Sequence, residues 1–186
     1  MEFEKVDLSD EVSIRDFVDK FKPGMKHITV VHCAAKSINK LMVRFDAQDW
    51  DDVLDVNLRG NFLLNKALIP LMIRDNWGRI IHISSVVGMN GTPGTAAYAS
   101  SKTGLFGLSR VLAKEYARFG VTSNVLCLGY FEVGLIESLD EGAREEIRLR
   151  IPSRNFGKVS DIANAVRWVM QAEYLNGAQI NMDGGL

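Results

Sequence analysis

Segments with a strand-like hydrophobic pattern alternate with segments of helical periodicity from one end of the chain to the other. The first helix is predicted over residues 9–21, where Ser9 is placed to cap the first turn and apolar side chains recur on one side. Residues 3–6 are predicted to form a short strand before it. Residues 28–32 form a β-branched run, which is typical of a strand that is buried on both faces.

The second half of the pattern contains two long helices. Asp46 is predicted to cap the first, over residues 47–75, and Gly120 is predicted to stop the second, over residues 96–119. The remaining predicted segments are a strand at 79–84, a Gly/Pro-rich loop at 86–95, a strand at 121–128, a Glu- and Arg-rich helical piece within 129–152, a short helix at 160–170 and a strand at 178–182.

This alternation predicts an α/β fold in one domain, residues 1–186. Strands that alternate with helices form parallel sheets with right-handed crossovers, and helices cover both faces of the sheet. Ligands of such sheets bind beyond the carboxyl ends of the strands. The segments to search for a site are therefore 32–37, 84–95 and 127–137.

Composition narrows the class of protein. The 22 Lys and Arg against 23 Asp and Glu leave no basic excess, so neither nucleic acid nor an anionic membrane is an expected partner. Cys33 and Cys127 are too few for a disulfide scaffold, fit no zinc motif and are expected to be buried small residues. We expect no metal site. The mixed-charge start and the lack of a long apolar run indicate a soluble, cytoplasmic protein.

Four residues near the predicted strand ends stand out. Ser85 closes a strand, Tyr98 and Lys102 share one face of the second long helix, and Asn57 is a polar residue within the apolar stripe of the first. Each alone is more often structural. Together they suit acid–base chemistry, because an ammonium group beside a phenol favours the phenolate and should lower its pKa. Ser85 is placed to hold a carbonyl oxygen, and Asn57 to fix a water that leads to Lys102.

The stretch Ser85…Tyr98-Ala-Ser-Ser-Lys102 resembles the Ser…Tyr-x-x-x-Lys signature of the short-chain dehydrogenase/reductase family. Asp55-Val-Asn57 resembles the segment that carries the family's helix Asn. Further stretches are similar to its 3-oxoacyl-(acyl-carrier-protein) reductase branch: Ser84–Gly88, Pro93-Gly94, Asn124-Val125, Gly129, Arg154-Asn-Phe-Gly157, Asp161-Ile-Ala163 and Asn181–Gly185. The resemblance extends from Asp7 to the end of the chain.

The resemblance implies a Rossmann-like, doubly wound parallel sheet and reduction of a ketone, or oxidation of an alcohol, with NAD or NADP. Tyr98 would be the proton donor, Lys102 would lower its pKa and hold the cofactor ribose, Ser85 would hold the carbonyl and Asn57 would complete the relay. The implied cofactor-binding residues are Asp7, Leu8, Ala34, Ala35, Tyr98, Lys102 and Gly129. The two long helices, 47–75 and 96–119, would form a homodimer or homotetramer interface, and residues 136–150 a solvated helix or a substrate lid.

Several positions depart from the family pattern. His32-Cys33-Ala34-Ala35 stands where Asn-Asn-Ala-Gly is usual, Leu128 replaces a Pro, and Val133 replaces a Thr that bonds the nicotinamide amide. His32 and His82 are expected to be satisfied core residues. No Gly-rich turn occurs before Asp7, where the family has two more strands and helices, about 50–60 residues. We therefore expect weak binding of NAD(P)H.

The lack of the family's first two strands predicts that residues 28–32 form an unpaired edge of the sheet. We expect residues 3–6 to move beside that edge, so that the truncated sheet keeps about five parallel strands. A partner chain or upstream residues would be the other way to cover it. Two functional alternatives to a small-molecule carbonyl reductase stay open: a truncated, catalytically impaired member that serves as a non-catalytic or oligomerising fragment, and a cofactor-free lyase or isomerase that uses only the Tyr/Lys pair.

Overall fold

The computed structural model describes residues 4–137 and 139–186. Four parallel strands form one sheet in the order β1-β2-β3-β4. The elements, numbered along the chain, are α1 (Glu11–Phe21), β1 (Thr29–His32), α2 (Ala47–Leu54), a π-helical segment (Asp55–Arg59), α3 (Gly60–Asp75), β2 (Gly78–Ser85), α4 (Val87–Asn90), α5 (Ala96–Tyr116), β3 (Val121–Leu128), α6 (Glu141–Arg150), α7 (Val159–Gln171) and β4 (Gln179–Met182). The α/β, Rossmann-like class predicted from the sequence is confirmed.

Helices cover the sheet on both faces. On one face, α1, α3 and α5 pack over alternate strand residues such as Ile80 and Val121. On the other face, Val169 of α7 packs on Ile81 and Leu126. The strand order nevertheless runs in one direction, so the connection from β3 to β4 has the opposite hand to the two connections before it. The sequence predicted right-handed crossovers throughout, and this prediction is wrong for the last one. α7 covers the face of the sheet that α3 and α5 leave open.

The expected fifth strand does not form in the described residues. Residues 4–7 have no strand conformation, and their backbone makes no hydrogen bond to residues 28–32; Phe3, the first residue of the predicted strand, lies outside the described residues. Within the described chain, β1 pairs with β2 on one side only. Instead of running along β1, Asp7 begins a turn: its carboxylate accepts from the backbone N–H of Ser9 at 2.9 Å.

Two other predictions are corrected at the helices. The N-cap of α1 is Asp10, whose side chain accepts from the backbone N–H of Val12 at 2.9 Å, whereas Ser9 donates its hydroxyl to Asp7. The predicted helix 47–75 is continuous, but it contains the π-helical segment. α5 is followed by a 3₁₀ turn over Ala117–Phe119, and this helical stretch ends as expected at Gly120. Gly120 has a φ of +68°, and a Cβ on it would fall 2.3 Å from the carbonyl oxygen of Asn76.

Candidate active site

The carboxyl end of β2 and the first turns of α5 bring three of the predicted residues together. Ser85 is the last residue of β2, and its hydroxyl lies within hydrogen-bonding reach of the Tyr98 phenol. The Lys102 ammonium lies 5.5 Å from the centre of the Tyr98 ring. Buried Ser84 holds the two elements in place, because its hydroxyl donates to the carbonyl of Lys102 at 3.0 Å.

Burial dominates the acid–base properties of this cluster. Lys102 is only 3% exposed, and burial lowers its pKa to about 8. Its Nζ donates to the carbonyl of Ile83 at 2.7 Å. Burial raises the pKa of Tyr98, and the hydrogen bond with Ser85 only partly opposes that rise. The sequence predicted a lowered pKa for Tyr98, and this expectation is wrong because the loss of solvation on burial raises the pKa more than the hydrogen bond with Ser85 lowers it.

Asn57 lies in the π-helical segment and is 1% exposed. Its Oδ1 accepts from the backbone N–H of Lys36 at 2.7 Å, and its Nδ2 donates to the carbonyl of Lys36 at 2.9 Å and to the hydroxyl of Ser101 at 3.0 Å. Ser101 donates in turn to the carbonyl of Tyr98 at 2.7 Å. Asn57 thus fastens the loop after β1 to the helix that carries Tyr98. The sequence analysis overlooked Ser101, although it directly precedes Lys102.

The predicted cofactor-binding residues occupy three strand ends or turns. Ala34 and Ala35 follow β1 and are exposed. Gly129 follows β3, and a Cβ there would fall 2.7 Å from the Cα of Asp183, so only glycine allows the chain after β4 to pass. The backbone of Leu8 packs against the start of α3, where a Cβ on Gly60 would lie 2.6 Å from the carbonyl oxygen of Leu8.

These residues fit one half of a dinucleotide. Ala34 and Ala35 are small and exposed, and they follow the strand that pairs with β2, which ends at Ser85. That combination of small side chains and hydrogen-bond donors suits a nicotinamide and its ribose. Asp7 differs, because its carboxylate already accepts the backbone N–H and the hydroxyl of Ser9, bonds that lower its pKa.

The two cysteines differ in exposure. Cys127 is buried, as predicted, and burial raises its pKa to about 11. Cys33 is exposed, contrary to prediction, because β1 ends at His32 and Cys33 already belongs to the loop. Among the described residues, no three His, Cys, Asp or Glu side chains lie close enough together to hold a metal ion.

His32 and His82 lie in the core, as predicted, but the expectation that both rings are satisfied is wrong for His82. They are partners in the parallel register of β1 and β2, and their rings stack at a centroid distance of 4.9 Å. His32 Nε2 bonds to Oδ1 of Asn65 at 2.8 Å, whereas His82 Nε2 has no partner. Burial lowers the pKa of His32 to about 4 and that of His82 well below its ordinary value, so both rings are neutral.

The helix α6, in the segment after β3, is polar and solvated. α6 has no buried residue, and its surface carries the ion pairs Glu145–Arg148 and Glu146–Arg150. Val133, which stands where the family pattern has a Thr that bonds the nicotinamide amide, is 40% exposed. No helix among the described residues is long and apolar enough to cross a membrane.

Comparisons with known proteins identify the family of the chain. A family model described as enoyl-(acyl carrier protein) reductase matches residues 1–186. The 3-oxoacyl-[acyl-carrier-protein] reductase FabG of Rickettsia conorii is 37% identical over 185 residues, which cover 98% of this chain and 76% of the relative. Those of Thermotoga maritima and Escherichia coli K12 are 36% and 33% identical, each over 97% of this chain and 75% of the relative.

The chain thus spans about three quarters of the length of these relatives, and the match to the Rickettsia felis reductase covers 61% of that protein. The matched part includes the strand ends and helices that carry Asn57, Ser85, Tyr98 and Lys102. The chain belongs to the short-chain dehydrogenase/reductase family, in its 3-oxoacyl-[acyl-carrier-protein] reductase-like branch.

Proposed function

We propose that this site reduces the ketone of a 3-oxoacyl thioester to a hydroxyl group with NADH or NADPH. The observation that carries the proposal is the proximity of the Ser85 hydroxyl and the Tyr98 phenol, with the buried Lys102 ammonium 5.5 Å from the centre of the Tyr98 ring. The relatives' names supply the substrate class. The chain has only two cysteines, too few for a disulfide scaffold, and this favours the cytoplasm as the compartment.

Tyr98 is the proton donor of the proposed reaction. Its raised pKa keeps the phenol protonated at neutral pH, which is the form that a reduction requires. When bound, NAD(P)H supplies the hydride that the carbonyl carbon accepts. The Tyr98 hydroxyl then gives its proton to the carbonyl oxygen, so that the product is a neutral alcohol and Tyr98 becomes a phenolate.

Ser85 and Lys102 support that proton transfer. The Ser85 hydroxyl donates a hydrogen bond to the carbonyl oxygen, where negative charge develops. Lys102, with a pKa of about 8, is largely protonated at neutral pH and stabilises the phenolate. Asn57 keeps the loop after β1 and the Tyr98 turn in register through Lys36 and Ser101.

The described residues would hold the nicotinamide side of the cofactor. Ala34, Ala35 and Gly129 would line the base, while Tyr98 and Lys102 would contact the ribose.

The proposed function is tested by mixing the purified chain with millimolar NADH or NADPH and an acetoacetyl thioester. We expect oxidation of the nicotinamide and formation of an equal amount of the 3-hydroxyacyl product. A chain that binds either cofactor but forms no product would contradict the proposal. Fluorescence titration of the two cofactors, run beside the assay, reports binding separately from turnover.

We propose, in addition, that the chain self-associates through α2, α3 and α5. A groove of about 530 Å³ between these helices is lined by Leu54, Asp55, Leu58, Arg59, Phe62, Gly104 and Leu108. Phe62 is 49% exposed and Val111 51% exposed. A Cβ on Gly107 would meet nothing within 4 Å, so this helix face is free for close approach by a second copy.

A further inference from the structure

Beneath the candidate active site lies a polar layer in an otherwise apolar interface. It consists of His32 and His82 on neighbouring strands and of Asn61 and Asn65, one turn apart on α3. All four side chains are at least nine-tenths buried. Two His–Asn pairs therefore lie side by side in the same environment.

Only one of the two pairs is connected to Asn57. The Nδ2 of Asn61 donates to the backbone carbonyl of Asn57 at 2.9 Å, and its Oδ1 is bonded to His82 Nδ1 at 3.1 Å. Because the amide oxygen accepts, the neutral His82 ring must carry its proton on Nδ1. The Asn57 carbonyl and the His82 ring together hold the Asn61 amide in this orientation. Asn65 bonds to His32, and its Nδ2 has no partner.

The connection matters because Asn57 stands in the π-helical segment of its helix. A π-helical turn is rare and occurs most often at functional sites. The Asn61 amide holds the Asn57 carbonyl within that turn, while the Asn57 side chain holds Lys36 and Ser101. The bonds run without a break from His82 on β2, through Asn61 and Asn57, to the turn of α5 that carries Tyr98.

We propose that Asn61, oriented by His82, is a positioning residue for Asn57 and thereby for the Tyr98 turn and the loop after β1. Its importance for turnover rests on the proposed function. Its effect on Asn57 is a property of the folded chain and is measurable without substrate or cofactor.

The reporter for this proposal is the backbone amide of Lys36, which donates to the Oδ1 of Asn57. Asn57→Ala defines the exchange rate of that amide when its acceptor is lost. Asn61→Leu removes the amide from the connected pair while keeping the side-chain volume. Asn65→Leu is the matched control, because it removes the same group from the pair that does not reach Asn57.

We expect Asn61→Leu to speed hydrogen exchange at Lys36 about tenfold, close to the effect of Asn57→Ala. In Asn65→Leu the rate should stay within about twofold of that of the unchanged chain. Each rate is compared at matched stability, measured by urea unfolding. Asn61→Ala serves as a second variant where the leucine disturbs folding.

Equal acceleration in the Asn61 and Asn65 variants would overturn the proposal, since it would mean a general loosening of α3. An unchanged Lys36 rate in both Asn61 variants would also overturn it. If the unchanged chain reduces no ketone but Asn61→Leu speeds exchange at Lys36, the proposed function fails and the positioning role stands.

Discussion

At the scale of single residues, burial decides the chemistry of the site more than charge does. The spacing of Tyr98 and Lys102 in the sequence correctly indicates that they share a helix face, and the structure places Lys102 near the Tyr98 ring. The direction of the Tyr98 pKa shift was not predictable, because desolvation depends on the strands and loops that surround the phenol. The hydrogen bond that the Lys102 ammonium donates to the carbonyl of Ile83 was also not predictable from the sequence.

Lys102 should therefore cost stability. Its pKa of about 8 means that, below that pH, folding buries a charge that the unfolded chain keeps in water. We expect Lys102→Met to raise the free energy of unfolding by about 1–3 kcal/mol at neutral pH. The gain should shrink between about pH 8 and pH 10.5, where the buried amine is already neutral. Urea unfolding across this range measures it, and a destabilised variant at neutral pH would contradict the expectation.

The stacked histidines predict loss of stability in acid. The pKa of His32 is about 4 in the folded chain and near 6.5 when unfolded, so the unfolded state binds more protons between these values. Stability should be complete above about pH 6.5 and fall as the pH drops towards 4, by about 3 kcal/mol for His32. His32→Asn should flatten this dependence. An identical pH dependence of unfolding in both proteins would exclude His32 as its source.

At the scale of elements, the strands and long helices were predictable because each carries a hydrophobic period over many residues. β3 matches its predicted bounds, and α5 begins at the predicted residue. The π-helical segment was not predictable, since the apolar spacing across it still fits a continuous helix. The cap of α1 was assigned one residue too early, because Ser9 and Asp10 are both good capping residues.

The capping assignment is open to direct test. Asp10→Ala removes the side-chain oxygen that accepts from Val12, and we expect it to lower the free energy of unfolding by about 1 kcal/mol. Ser9→Ala is the control; its hydroxyl bonds only to Asp7 at the surface, so the change should stay within about 0.5 kcal/mol. The reverse order of the two effects in urea unfolding would restore Ser9 as the cap.

At the scale of the whole molecule, the alternation of strand and helix patterns correctly predicted the α/β architecture. It did not predict the hand of the connection from β3 to β4, nor that β1 would be an edge strand of the sheet. A helix packs on the face of the sheet that other helices do not cover. This depends on the whole fold and cannot be predicted from the local hydrophobic pattern. Residues 4–7 leave the edge of β1 uncovered because they turn into the cap of α1 instead of extending.

Self-association is the prediction that belongs to this scale. We expect light scattering at micromolar concentration to give at least twice the mass of one chain, because α3 and α5 expose apolar side chains around the groove. Phe62→Glu should shift the protein towards the monomer, with unchanged circular dichroism. Tyr174→Glu, at a fully exposed residue outside the groove, should not. A monomer before any substitution would contradict the proposed interface.

The most direct test of the central claim, that Tyr98 donates the proton in a carbonyl reduction, compares two tyrosines of the same helix. Tyr98→Phe and Tyr116→Phe each remove one hydroxyl from α5, and only Tyr98 contacts Ser85. With an acetoacetyl thioester and millimolar NAD(P)H, we expect Tyr98→Phe to lower kcat at least about a hundredfold and Tyr116→Phe to leave it nearly unchanged. Turnover by Tyr98→Phe at the rate of the unchanged chain would contradict the account.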